Sequence, residues 1–234
     1  MKSLLMLLLM ISILNAKEIV LNADEGNMVQ LTNAAILKPV YASLGIDLKL
    51  VSYSLSKSLS MSNSGEIDGE PGRIKKISKK FPNLVQVPVS INYVEAIAFS
   101  KNQTMMIKNW KQLGAYKLGI IKGVKFIEGP TKKMNKVMFT NFKEAFKALD
   151  EGKVNVVIAP KVSGQYIIET QGYKDIYKVS RALKRLYLYH FLHKKNVDLI
   201  PKLTPILQEM KKSGELRYLR AAYLRKKRSV TKVN

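Results

Sequence analysis

Gly65-Glu66-Ile67-Asp68-Gly69-Glu70-Pro71-Gly72-Arg73 decides how the rest of this sequence is read. Three glycines and a proline fall within Gly65–Gly72. That composition excludes a regular helix, because glycine is entropically costly there and proline removes a donor and clashes with the preceding turn. The stretch reads as a strand that ends in a tight loop, with Arg73 just beyond. On its N-terminal side, Glu18 to Ala23 reads as a strand. Val29 to Leu44 reads as a helix, with Leu31, Ala34, Ala35, Leu37, Val40 and Tyr41 forming one stripe, Pro39 kinking it and Gly45 stopping it. Leu48 to Tyr53 is then a strand and Ser56 to Ser62 a short helix.

On the C-terminal side, Leu84 to Ser100 is extended and divided by Pro88, and Tyr116 to Ile121 is a strand closed by Lys122-Gly123. Asn141 to Leu149 is a helix whose Phe142, Ala145, Phe146 and Leu149 share a face. Val154 to Ala159 is an apolar strand of the buried parallel kind, and Leu186 to His193 another strand. Leu199 to Leu224 makes one or two helices broken near Ser213-Gly214. Short strands alternating with helices argue for α/β architecture.

The N-terminus sets an expected compartment. Met1-Lys2-Ser3, the apolar run Leu4–Leu14 and the pair Asn15-Ala16 have the layout of a secretory signal peptide over residues 1–16, cut after Ala16. The apolar run of about eleven residues falls short of the roughly 20 that a membrane helix needs. The expected mature protein is soluble and periplasmic, with 218 residues of the 234, enough for one large domain or two lobes. There is no cysteine, which excludes disulfides, thiol catalysis, thiolate metal sites and a lipidated cysteine anchor.

Charge is the least ordinary feature. Lys and Arg number 40 against 17 acids, a formal net charge of +23. The basic residues are scattered, as in Lys75, Lys76, Lys79, Lys80, then Lys132, Lys133, then Arg225 to Arg228, and form no nucleic-acid module. Export argues further against a nucleic-acid partner. The charge reads as a solvated surface, as attraction to anionic lipid or cell-wall polymer, or as steering of an anionic ligand.

The order of segments carries a resemblance. A strand–helix–strand–helix run leads into Gly65-Glu66-Ile67-Asp68-Gly69-Glu70 before an arginine. A strand ending Ile121-Lys122-Gly123 follows, then Glu144 to Ile158 (EAFKALDEGKVNVVI), then a helix containing Met210-Lys211-Lys212-Ser213-Gly214-Glu215. The chain resembles the periplasmic solute-binding proteins of the type II fold, the extracellular family 3 group that serves polar amino-acid ABC transporters. The resemblance implies two α/β lobes with mixed sheets flanked by helices and joined by two crossing hinge strands. Lobe one would be 17–100 plus 186–234, and lobe two 101–185. A small polar solute would bind in the cleft as the lobes close, and the loaded monomer would dock on an inner-membrane permease or receptor. Two positions depart from the family's pattern for α-amino acids. The Thr of its Thr-x-x-Arg segment is missing, which leaves Arg73 for the carboxylate clamp, and Pro160 stands where an aspartate pairs with the ligand ammonium.

Individual residues admit two readings each. Arg73 offers a planar fork to a carboxylate or phosphate, or pairs with Asp68 or Glu70. Glu70 faces the cleft, or serves structure, and Asp68 caps its own turn. Glu25 follows the first strand, where open α/β sheets gather ligands, or helps to start the next helix. Tyr53 and Tyr93 end strands and stack on a ligand, or are half-buried core. Lys122, Gly123 and Val124 hold an anion on backbone N–H groups, or form an ordinary strand–helix turn. His190 and His193 face opposite sides of a strand and make no metal pair, and Trp110 is a packing residue. No cofactor, metal site or nucleophile–base set is expected, and the chain is read as a binding protein and not an enzyme. The other two readings are a dehydratase-like cleft enzyme of the same fold, with Glu25 or Glu70 as the acid, and a basic surface-interaction protein.

Overall fold

Residues 17–231 are described by the computed structural model, and the leader expected over residues 1–16 lies outside the described residues. Strand β1 (Glu18–Asn22) leads to helix α1 (Met28–Ala42), β2 (Asp47–Val51), α2 (Leu55–Ser64) and β3 (Gly69–Ile74). The long β4 (Leu84–Ser100) follows, then β5 (Leu118–Ile121), α3 (Lys125–Glu128), β6 (Lys136–Phe139), α4 (Phe142–Asp150), β7 (Val156–Pro160), α5 (Lys161–Gln171) and β8 (Tyr177–Lys178). Strand β9 (Lys184–His193), α6 (Ile200–Ser213) and α7 (Glu215–Thr231) close the chain. No helix among the described residues is long and apolar enough to cross a membrane.

Local chemistry explains where the helices begin. The Asn27 side chain accepts from the N–H groups of Val29 and Gln30 at 3.2 and 3.3 Å, Asn141 caps α4 through the N–H of Glu144, and Ser54 caps α2. Each satisfies donors that the first helical turn leaves unpaired. Pro39 sits in the last turn of α1, while α6 and α7 are separated at Gly214 in a left-handed conformation. Helix α5 was not expected; it starts directly from Pro160 and packs Gly164 against Phe99.

The strands pair in the order β2-β1-β3-β9-β4-β7-β5-β6, with β8 on β4. The outer pairs β1/β2, β1/β3, β5/β6 and β5/β7 are parallel, whereas β3/β9, β4/β9 and β4/β7 are antiparallel. Thus two parallel βα units meet on a central antiparallel ribbon of β4 and β9, and the pairing runs unbroken from one to the other. One apolar core gathers Ile19, Leu21, Ile36, Leu37, Tyr41, Val89 and Leu203. A second gathers Phe99, Leu118, Ile120, Phe142, Phe146 and Ile158, with Phe99 and Phe146 edge to face at 5.2 Å. Each fully buried Leu, Ile or Phe contributes about 1.5–3 kcal/mol.

The deciding stretch is arranged the other way round from the expectation. Gly65 to Asp68 form the turn, and Gly69-Glu70-Pro71-Gly72-Arg73-Ile74 is the strand. Its glycines serve close approach. A Cβ on Gly69 would lie 2.1 Å from the Phe191 carbonyl oxygen of β9, and one on Gly72 would overlap the Asn33 amide of α1. Pro71 is tolerated between β1 and β9 because the register shifts between Glu70 and Arg73, a bulge that needs no ladder N–H there. Asp68 accepts from the N–H of Val20 at 2.8 Å, from Asn196 at 2.8 Å and from Lys195 at 3.0 Å. Burial pushes its carboxyl up, yet these bonds outweigh burial and hold it below the usual range.

Beneath β3, His190 is fully buried. Its Nδ1–H donates to the Glu70 carbonyl at 2.8 Å, and its Nε2 accepts from the Tyr41 hydroxyl at 2.6 Å, so α1, β3 and β9 meet on one neutral imidazole. Burial depresses its pKa to about 4. His193 is lowered in the same direction, by burial and by Lys195 and Lys194. An unfolded histidine takes up a proton near pH 6.5, which the folded His190 refuses until about pH 4. Stability is therefore complete above pH 6.5 and falls between 6.5 and 4, by about 3 kcal/mol from His190. Urea midpoints at pH 7 and pH 5 check this: the parent midpoint should drop more than that of His190→Gln, and equal drops contradict it.

Candidate functional site

A small cavity lies where the two βα units face one another. Asn27, Val29, Gln30, Leu55, Gly72, Arg73, Ile74, Val94 and Leu188 line it from one side. Gly123, Val124, Lys125, Phe126, Phe142 and Pro160 line it from the other. Its free volume is about 50 Å³. The walls are mostly apolar. The main chains touch here: a Cβ on Gly123 would lie 2.6 Å from Leu55 Cβ and 2.7 Å from the Ser56 nitrogen. Gly123 has φ +96, a conformation open to glycine, and its N–H donates to Glu128 at 2.6 Å. Glu128 also takes the Lys125 ammonium at 2.7 Å, so the turn after β5 is locked by one carboxylate.

Arg73 projects from β3 into this cavity. Its Nε donates to Glu70 Oε2 at 2.8 Å, and its Nη2 donates to Ser58 Oγ at 2.9 Å and the Leu55 carbonyl at 3.2 Å. Nη1 has no such bond among the described residues. Glu70 is fully buried and accepts in addition from Ser58 at 2.8 Å and Ser62 at 3.2 Å. The guanidinium is thereby neutralised and fixed in orientation.

Gln30 is the second polar feature. Its Oε1 accepts from Asn22 Nδ2 and from the Asp24 N–H, both at 3.2 Å, and Asn22 is itself held by both backbone polar groups of Tyr53. These donors fix the amide orientation. Gln30 Nε2 is then left buried and without a hydrogen-bond partner at the cavity wall. An orphaned buried donor of this kind costs about 1–3 kcal/mol.

Of the sequence-derived residues, the structure brings Arg73, Gly123 and Val124 to this cavity. Glu70 corrects the expectation of a cleft acid, since it turns inward to Arg73. Glu25 is exposed outside the cavity, where its charge adds to burial in raising the carboxyl of Asp24. Tyr53 is tied by its backbone to Asn22 and carries Lys57 over its ring at 4.6 Å. Tyr93 is sandwiched between Arg185 and Arg220, at 4.8 and 4.3 Å, and lines a different hollow beside α7. Lys122 is exposed and off the cavity wall. Gln30 and Phe126 are among the lining residues that sequence reasoning passed over, although Phe126 closely follows the Lys122–Val124 turn. Among the described residues no three His, Asp or Glu side chains gather as a metal-holding group.

Solved structures share this arrangement. A histidine kinase sensor domain with similarity to periplasmic binding proteins superposes with a TM-score of 0.75 at 17% identity, over 89% of this chain and 96% of its own. The chain has the type II periplasmic-binding-protein fold. An arginine-bound substrate-binding protein of an amino-acid ABC transporter from Streptococcus pneumoniae matches with a TM-score of 0.70 at 16% identity, over 90% of this chain and 95% of its own. No family model matches the sequence. An uncharacterized protein of Shewanella oneidensis is 26% identical over 164 residues, 66% of this chain and 61% of that relative's length.

Removing the Arg73 side chain should strand the Glu70 carboxylate in the interior. Arg73→Ala should lose about 3–5 kcal/mol, and the paired change Glu70→Leu with Arg73→Met should recover most of it. Denaturant unfolding of the three proteins measures this; a single-variant loss below about 1 kcal/mol would show that the pair does not hold the site.

Proposed function

We propose that this is an exported solute-binding protein that takes a small solute between two lobes, 17–100 plus 186–234 and 101–185, which close about β4 and β9. The unpartnered Gln30 amide, in a cavity wall that Arg73 also lines, carries the reading. One buried unpartnered donor in a mostly apolar cavity, beside a guanidinium already paired with Glu70, suits a solute that is largely apolar and bears one acceptor, a carbonyl, carboxylate or hydroxyl. Pro160 on the opposite wall provides no anionic partner for an ammonium group, which separates this cavity from one shaped for α-amino acids. That the similar Streptococcus pneumoniae protein binds arginine for an ABC transporter supports delivery to an inner-membrane permease, and the similar kinase sensor domain supports a receptor instead. The cavity offers no nucleophile beside a base, so capture without turnover is the reading favoured over a cleft enzyme.

Closure follows from differential affinity: a solute that bonds both walls stabilises the closed state. The purified mature protein should show a raised melting temperature with at least one member of a panel of carboxylates, amides and neutral amino acids. Gln30→Leu should weaken that solute about three- to tenfold, the worth of one hydrogen bond. Gly123→Ala should weaken it as well, since the new methyl wedges against Leu55. Undiminished binding by Gln30→Leu, or a panel without any hit, would sink the reading.

A further inference from the structure

Two wider hollows lie outside the cavity, at its mouth. One of about 770 Å³ is lined by Lys75, Lys76, Lys79 and Lys184 with Trp110 and Tyr187. A second of about 500 Å³ adds Lys80 and Lys132. The two share Ile74, Lys76, Lys125 and Gly129, and so form one groove. Its first wall is the 3₁₀ turn Lys75–Lys79 that follows β3, and its second is the segment around Gly129 to Lys132 that follows α3. The groove therefore straddles both halves of the fold.

Acids elsewhere are spent on local partners, as in Lys101 with Asp150 and Asp175, Lys153 with Glu151, and Arg185 with Glu95. In the groove, Glu128 is the carboxylate present, and it is committed to Lys125 and the Gly123 N–H. The ammonium groups of Lys75, Lys76, Lys79, Lys80, Lys132 and Lys184 make no ion pair or hydrogen bond among the described residues. Here the charge of the chain is concentrated and uncompensated.

We propose that this groove binds a flexible polyanion, a chain of closely spaced phosphates, laid across both halves. Six compact, strongly hydrated point charges, four at the turn after β3, Lys132 on the second wall and Lys184 on β9, exceed what one phosphate can reach, whereas consecutive phosphates can meet several at once. A concave site also keeps its lysines from a flat lipid surface. The exposed face of Tyr187 and the half-buried Trp110 give the groove an apolar side beside the charge. The inference is independent of which solute fills the inner cavity.

Trp110 is the single tryptophan of the chain and reports directly on the groove. Linear polyphosphate titrated into the full mature protein should change its fluorescence saturably, while inorganic phosphate at equal total phosphorus should not. The variant Lys76→Glu with Lys80→Glu should raise the polyphosphate Kd about tenfold or more and lower the salt slope of log K by about 2. Lys38 and Lys202 are exposed elsewhere, and Lys38→Glu with Lys202→Glu makes the same change in net charge; it should shift Kd less than about twofold, by long-range charge alone. Equal weakening by the two variants overturns the proposal, because net charge would then suffice. Tighter binding of anionic vesicles or of single-stranded DNA than of polyphosphate overturns it in favour of those partners.

Discussion

A carboxylate and a guanidinium withdrawn from water hold the middle of this molecule. Glu70 and Arg73 lie three residues apart on a bulged strand, and burying either alone would be prohibitive. Together, with Ser58 and Ser62 filling the remaining hydrogen-bond positions, they fasten α2 to β3. The Glu70 carbonyl carries the same junction on to His190 and Tyr41, and through them to β9 and α1. The cavity wall is the far side of this assembly, so Arg73 is as fixed there as the core behind it.

That rigidity separates two kinds of positive charge. The charge at the cavity is cancelled and oriented, which suits discrimination between similar small molecules. The charge in the outer groove is uncancelled and mobile, which suits attraction at a distance and depends on ionic strength. A single chain thus carries one precise polar site and one diffuse one, separated by Ile74, Lys125 and Phe126.

Much of the fold was legible because hydrophobic periodicity and caps act locally. Helices α1 and α4 and the break at Gly214 appear where the pattern puts them, although α1 buries Met28, Val29 and Ile36 in place of Leu31 and Ala35 of the expected stripe. The type II fold was legible from the order of the short motifs. Within Gly65–Arg73 the order of strand and turn was not, because the same glycines serve tight turns and close backbone approach; only the position of Phe191 and Asn33 distinguishes these. Helix α5 was missed because Gly164 and a weak apolar stripe hide it. At the site, Arg73, Gly123 and Val124 follow from their places at strand ends. Gln30 has no such signal: its importance comes from Asn22 and Asp24, which use up its oxygen and leave its nitrogen bare. The lysine runs at 75–80 and 132–133 are plain in the sequence, yet the meeting of Lys132 with the first run in one groove is a product of the fold.

The contact at Gly123 has one further implication. Gly123 lies so close to Leu55 Cβ and to the main chain of Leu55 and Ser56 that no side chain fits at this position. Val29, Val94, Val124 and Phe126 fall elsewhere on the wall. Such a scaffold lets substitutions in the walls change the shape of the cavity without disturbing that contact.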